Sequence, residues 1–388
     1  MLNWVEVDAG ALRGNLMEFG RRVGPETALG AVVKSNAYGH GMLECAALAV
    51  EAGASWLCVN NVDEGVALRR AGHRLPVLVM GYVPLERLGE VVAADLRPVV
   101  YNRQTVDRLQ REAAAADRIV PVHVKAETGT NRQGVLEGDL PEFVRAIRAS
   151  AHLWLEGLTT HFANIEDTTD HGFAESQIAA YGRMGRILEE LGGRAPIRHA
   201  ACSAAALLFD RTHLDLARIG ISLYGIWPSK ETYVSCLERR KMALDLRPVL
   251  TWKTRIAQVK DVPEGGYVGY GCTWRAGRDS RIAVLPIGYY EGYDRGLSGV
   301  AHVLVRGRRA PVRGRVCMNM TMVDVTDVPG ADLEDEVVLL GRQGEERITA
   351  EQLASWCGTI PYEIVSRIHP SLPRVVVNPP VAAARTNR

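Results

Sequence analysis

The segment "ALGAVVKSNAYGHG", residues 28–41, decides how the first half of the chain is read. An apolar run ends on Lys34, its only lysine or arginine, and polar, turn-prone residues and glycines follow at once. A short apolar run stopped by turn signals has the length and composition of a buried strand. A lysine at its last step either marks where the strand surfaces or sets an amine at the mouth of the fold.

Seven more runs repeat the design. They are "WLCVN" ending at Asn60, "PVLVM" at Met80, "RPVV" at Val100, "IVPVHVK" at Lys125, "LEGLTTH" at His161, "PIRHA" at Ala200 and "LARIGI" at Ile221. Segments such as "TVDRLQREAAAA" and "FAESQIAAYGRMGRILEELGG" lie between them with apolar residues at helical spacing. Strands alternating with helices imply a parallel sheet. About eight such units predict an α/β fold, an N-terminal (β/α)8 TIM-type barrel, and no G-x-G-x-x-G follows the first strand to argue for a doubly wound sheet.

Near residue 240 the texture changes. "LDLRPVLTWKTRIAQVK", "RIAVLPIG", "AHVLVRG", "RAPVRGRV", "MTMVDV" and "DEVVLLG" read as strands separated by Gly, Pro and Asp turns, and "TAEQLASWCG" is the one evident helix. The expected division is a barrel over residues 1–240 and a mainly-β domain over 241–388. "WVEVD" at the start is a strand open to either domain, and "AAARTNR" at the end is expected to fray.

Bulk properties exclude several classes. A net charge of +1 with interspersed signs provides no basic stripe for nucleic acid or an acidic membrane. No apolar stretch reaches the ~20 residues of a membrane span. The N-terminus lacks the apolar core of an export signal, so a cytoplasmic location is expected. Cysteines 45, 58, 202, 236, 272, 317 and 357 are scattered and form no C-x-x-C pair, as in a reduced protein without structural zinc. In "HFANIEDTTDH" the spacing of His161, Asp167, Asp170 and His171 is irregular, so the stretch reads as a polar loop and no metal is expected.

A closed barrel carries its chemistry at the C-terminal rim, where Lys34, Lys125, His161, Ser203 and Arg218 all fall. A partly desolvated Lys34 is a nucleophile for a carbonyl, and pyridoxal phosphate is the natural aldehyde cofactor. Its phosphate has candidate seats at Ser203, which starts a helix, and at the Gly220–Ile221 turn. Arg218 within the last barrel strand needs a buried partner, either Asp215 or a cofactor ring nitrogen. Against a ring nitrogen it cannot release a proton, which suits the removal and return of an α-proton better than transamination.

These residues lie in "AVVKSNAYGHG", "HVKAETGTNRQG", "THFANIED", "ACSAAALL" and "ARIGISLYG", and "GYVGYGCTW", "LPIGYYEGYDRGLS", "RGRVCMNM" and "IPYEIVSR" follow downstream. In this set the chain resembles the alanine racemase family, nearly end to end. The resemblance implies an isomerase that interconverts L- and D-alanine with pyridoxal 5'-phosphate by a two-base mechanism, making D-alanine as a peptidoglycan precursor. It implies that Lys34 holds the cofactor covalently and acts as one base while Tyr270 is the other. Tyr38, Ser203, Gly220, Ile221 and Tyr362 would contact the phosphate, and Arg218 the ring nitrogen with His161 behind it. Arg132 and the Met318 backbone would hold the substrate, and Lys125, a carbamate in many relatives, would steady Arg132. Tyr289 and Arg295 would line the entry. The implied assembly is a homodimer with shared active sites, each Tyr270 serving the partner's barrel.

Four positions depart from the common family pattern: Glu127 for Asp, Thr130 for Met, Asn319 for Asp and Gly269 for Ser. Thr130 and Asn319 keep a broader amino-acid racemase, one acting on serine for example, as the alternative. A barrel-type decarboxylase fits less well, because no glycine-rich phosphate loop or C-E-S-type segment is present.

Overall fold

Trp4–Asp8 forms the first strand, β1, and the next eight are all parallel: β2 (Ala28–Val32), β3 (Trp56–Val59), β4 (Val77–Val79), β5 (Arg97–Val100), β6 (Val120–Lys125), β7 (Leu153–Thr159), β8 (Ile197–His199) and β9 (Leu216–Ile219). The structure, a computed structural model, describes residues 1–192, 196–239 and 244–379. Strands β2–β9 pair in the order β8-β7-β6-β5-β4-β3-β2-β9. The two end strands meet through Asp215 N–H to the Arg198 carbonyl at 3.0 Å and Arg218 N–H to the Ala201 carbonyl at 3.1 Å. The result is the expected barrel, nearly closed.

Each barrel strand is followed by a helix, and local chemistry sets where several begin. Asn61 accepts the N–H of Glu64 at the start of helix Val62–Arg70, and Asn102 does the same for Thr105 ahead of Arg103–Ala115. β3 and β4 are buried along their whole length, as strands covered on both faces must be.

The second unit is built on three antiparallel or mixed sheets. The largest orders its strands Arg308–Pro311, His302–Val305, Glu336–Gln343, Leu250–Arg255, β1, Arg374–Val377, with Glu346–Ile348 paired to Glu336–Gln343. β1, left open by its sequence, therefore lies in the β-rich unit. Gln258–Val262, Ser280–Leu285 and Thr321–Asp324 make a three-stranded sheet, and Tyr267–Val268 pairs with Trp274–Arg275. Besides helix Ala350–Cys357, which falls in the expected "TAEQLASWCG" and starts with a capping box at Thr349, there is a second short helix at Pro361–Ser366.

Two compact units divide the chain: Arg13–Ser35 with Ala46–Leu246, and Met1–Leu12 with Asn36–Cys45 and Arg247–Arg388. The expected boundary at 240/241 and the terminal "AAARTNR" lie outside the described residues. Residues 36–45 leave the barrel unit immediately after Lys34 and Ser35.

Candidate active site

Lys34 follows Val33, the residue after β2, whose N–H bonds to the Cys58 carbonyl at 2.9 Å. The Tyr224 hydroxyl donates to the Val32 carbonyl at 2.7 Å, so the strand end is held on two sides. After Lys34 the backbone turns left-handed, with φ of 54°, 54°, 52° and 53° at Ser35, Asn36, Ala37 and Tyr38. Non-glycine residues rarely adopt this conformation even singly. Local bonds hold it: the Glu64 carboxylate accepts Ser35 N–H at 2.6 Å, and the Asn36 side chain accepts Met42 N–H at 2.9 Å. Burial, reinforced by the Arg132 cation, lowers the Lys34 ammonium below the ordinary lysine range against the opposing pull of Glu64.

Arg132 sits on the loop after β6, which the Glu127 carboxylate organises by accepting the Gly129 N–H at 2.7 Å with the backbone N–H groups of residues 130–132 turned toward it. Burial alone would raise that carboxyl, and the backbone N–H groups around it more than offset this, so Glu127 lies below the usual carboxylate range. The loop closes where Gly134 passes Glu127, since a Cβ at residue 134 would come within 2.6 Å of the Glu127 nitrogen. Thr130 ties the loop to the end of β7 by donating to the His161 carbonyl at 2.7 Å. Burial and the cations of Arg218 and Arg132 push Lys125 down to about 8. Burial together with Arg218, Lys125, Arg132 and Lys34 pushes His161 down to about 3, which leaves it neutral.

Arg218 is buried, and no carboxylate partners it among the described residues. Asp215, the alternative partner, instead accepts Arg198 N–H at 2.6 Å. Nη1 of Arg218 donates to His199 Nδ1 at 2.6 Å and to the His199 carbonyl at 2.8 Å. Nη2 donates to the carbonyls of Thr160 at 2.9 Å and Ala200 at 3.2 Å. Four of the five guanidinium donors are thereby used, and Nε–H is left over. The imidazole bonded to Arg218 is thus that of His199, where the sequence reading put His161.

Ser203 and Gly220 come together as expected: Ser203 Oγ accepts the N–H of Gly220 at 3.0 Å and of Ser222 at 3.5 Å. Ile221 begins the 3-10 turn Ile221–Tyr224 beside them, and within that turn the Ser222 hydroxyl is buried without a hydrogen-bond partner. A cluster of backbone amides and hydroxyls at helix and turn starts is suited to an anion. The barrel unit therefore gathers a desolvated amine, a buried guanidinium with one uncommitted donor, and an anion-type cradle.

The β-rich unit carries Tyr38, Tyr270, Tyr289, Arg295, Met318 and Tyr362. The rings of Tyr38 and Tyr362 lie 6.0 Å apart, and the 36–45 segment is held by Arg374, which donates to the Gly39 carbonyl at 2.7 Å. Tyr289 and Met318 are neighbours: Tyr289 N–H bonds to the Cys317 carbonyl at 3.0 Å and Tyr290 N–H to the Met318 carbonyl at 2.9 Å. Tyr270 is 75% exposed and stands between Gly269 and Gly271, at φ 76° and 73°. A Cβ at residue 269 would meet only the flexible end of Met322, so it is the positive φ that favours glycine there. Arg295 opens the 3-10 turn Arg295–Leu297. Sequence reasoning missed Glu64 and His199; the N-cap Asn61 three residues before Glu64 was the one available signal for the former.

Residues 7–228 match the family described as alanine racemase, N-terminal domain, and residues 249–376 match alanine racemase, C-terminal domain. The chain is 37% identical over 377 residues to an alanine racemase of Leptospira interrogans, covering 97% of this chain and 96% of the relative. It is 43% identical over 366 residues to one from Syntrophobacter fumaroxidans, covering 94% and 95%. The structure superposes on the crystal structure of alanine racemase from D-cycloserine-producing Streptomyces lavendulae with a TM-score of 0.90 at 35% identity, covering 97% of each chain.

Proposed function

The chain belongs to the alanine racemase family of isomerases, and on that premise we propose that it interconverts L- and D-alanine with pyridoxal 5'-phosphate as cofactor. The observation that carries this reading is Arg218, buried with no carboxylate partner among the described residues and with Nε–H uncommitted. Such a group calls for a buried acceptor, and a pyridine nitrogen provides one. The unpartnered Ser222 hydroxyl beside Ser203, Gly220 and Ile221 likewise fits a phosphate, and the desolvated Lys34 fits a covalent attachment point. Pyridoxal phosphate supplies, when bound, an aldehyde that condenses with amines and a ring that takes up the electron density released at an α-carbon.

The residues then divide the work. Lys34, with its ammonium destabilised by burial, holds the cofactor and takes or returns a proton at Nζ. Ser203, Gly220 and Ile221, with Tyr38 and Tyr362 from the β-rich unit, hold the phosphate. Arg218 donates a hydrogen bond without yielding a proton, which discourages chemistry beyond moving the α-proton. Neutral His161 adds no second cation beside it. Arg132 and the Met318 backbone hold the substrate carboxylate, Lys125 steadies Arg132, and Tyr289 and Arg295 line the approach.

Inversion needs a proton removed from one face and returned to the other, and one side chain serves one face. Tyr270 is our candidate for the second face. Its exposed hydroxyl is free to serve another barrel, so we assign the active form to a homodimer with shared sites, acting in the cytoplasm to make D-alanine.

Alanine is favoured over serine because the two unusual polar residues are already engaged. Thr130 donates to the His161 carbonyl, and Asn319 donates to Glu291 at 2.7 Å. The test is incubation of the cofactor-loaded protein with L-alanine, L-serine and a panel of other L-amino acids, followed by chiral chromatography. D-alanine should form until the two isomers are equal. Release of CO2 without a D-isomer would establish a decarboxylase instead.

A further inference from the structure

Behind Arg218 runs a buried line of hydrogen bonds that plays no part in the scheme above. His199 takes the Arg218 Nη1 bond on Nδ1, and its Nε2 lies 2.7 Å from His123 Nδ1. His123 Nε2 in turn lies 3.1 Å from Glu156 Oε2, and Arg97 Nε is 3.6 Å from that same oxygen. Both imidazoles are fully buried, and Glu156 is nearly so.

Donor chemistry fixes the direction of every bond. Arginine can only donate, so Nδ1 of His199 must be the acceptor and its proton must sit on Nε2. That proton is donated to Nδ1 of His123, which puts the His123 proton on Nε2, facing the Glu156 carboxylate. One arrangement satisfies all three bonds with two neutral rings. Burial, with the nearby Arg218 cation, depresses His199 well below the ordinary histidine range, and burial also depresses His123 against the pull of Glu156.

The surrounding fold makes room for this line. Gly157 lies within β7, where glycine weakens a strand unless something approaches closely. A Cβ there would come within 2.1 Å of His123 Nδ1. The Tyr181 hydroxyl accepts His199 N–H at 3.1 Å and donates to the Leu158 carbonyl at 2.6 Å, which fixes the backbone beneath the ring.

We infer that Glu156, His123 and His199 form a positioning relay whose single tautomeric state holds the Arg218 guanidinium in place and directs its remaining Nε–H. These are positioning residues, since none is argued to touch a reacting atom. The functional consequence rests on the reading that Arg218 meets the cofactor ring; the tautomeric state of the relay does not.

The experiment is nitrogen-15 NMR of holoenzyme labelled at histidine, with kinetics of Glu156→Leu and of the conservative Glu156→Gln alongside. In the natural protein both His199 and His123 should show protonated Nε2 and unprotonated Nδ1. In Glu156→Gln the amide oxygen can take the place of Oε2, which faces both His123 and Arg97, so the tautomers and the activity should be kept, whereas Glu156→Leu leaves the His123 Nε2–H buried without an acceptor. Racemisation by Glu156→Leu should then fall about tenfold in kcat with KM little changed, the scale seen when a supporting hydrogen-bond partner is lost. The absorbance of the bound cofactor should shift as well. An unaltered kcat and cofactor absorbance in Glu156→Leu overturn the relay. So does Nδ1–H, or a mixture, on either ring of the natural protein, and that result decides the matter even if the variant fails to fold. A natural protein with the expected tautomers but no racemase activity would sink the functional reading and leave the relay standing.

Discussion

The Glu64 carboxylate accepts the backbone N–H of Ser35 at 2.6 Å and that of Asn60 at 2.7 Å, joining the residue after Lys34 to the end of the neighbouring strand. Four successive residues from Ser35 to Tyr38 have positive φ, a conformation that costs roughly 1–2 kcal/mol per residue. Glu64 is one of the groups that offset this cost. Glu64→Ala should lower the unfolding free energy by about 2 kcal/mol, the scale of a charge-assisted bond, and slow catalysis by loosening Lys34. Urea unfolding and initial rates measure the two effects. An unchanged midpoint would mean that the turn is held without Glu64.

Ser203→Ala removes the acceptor for two buried N–H groups, on Gly220 and Ser222. Stability should fall by about 1–2 kcal/mol, because an unpaired buried donor keeps its desolvation penalty. Affinity for pyridoxal phosphate should fall about tenfold, equivalent to about 1.4 kcal/mol. Fluorescence titration of the cofactor-free protein gives the second number, and an unaltered affinity would remove Ser203 from the phosphate site.

The depressed Lys125 gives stability a definite pH signature. Its folded pKa is about 8, below the unfolded lysine value near 10.5, so the unfolded chain binds more protons between these limits. Stability contributed by this group therefore rises as pH climbs from about 8 toward 10.5, and its burial penalty is fully present below 8. Against Lys125→Met, the natural protein should gain stability across that window. Denaturation of both proteins at pH 7 to 10 checks the sign; parallel curves would contradict it.

His161 should act at the acid end. Its folded pKa of about 3 lies below the unfolded value of 6.5, so the stability it contributes is lost as pH falls from 6.5 to 3. His161→Phe should flatten the acid limb of the stability curve over those units, measured by the same unfolding method. A limb of unchanged steepness would show that His161 is charged or exposed in the fold.

Most of the fold could be read from local patterns, and the exceptions have physical causes. All eight barrel strands are short apolar runs with polar stops, a signal that survives without tertiary information. The helix Pro361–Ser366 is too short for periodicity, and the strand Arg374–Val377 gets its place only by pairing with β1, at the other end of the chain. The left-handed turn was hidden because Ser, Ala and Tyr carry no preference for positive φ. Only Asn36 and the following Gly39 hinted at it. Ser203 and Gly220 were legible as the start of a helix and a turn glycine. His199 and His123 were not, since a histidine inside an apolar strand reads as core until the ring opposite it is known.

The central claim is that Lys34 and Tyr270 act on opposite faces of one carbon. It is tested by following exchange of the α-hydrogen with deuterated water in Tyr270→Phe, starting separately from L-alanine and from D-alanine. The account predicts that exchange from the L-isomer falls by about a hundredfold or more, the usual worth of a positioned base, while exchange from the D-isomer is largely kept. Equal losses from the two isomers would contradict it.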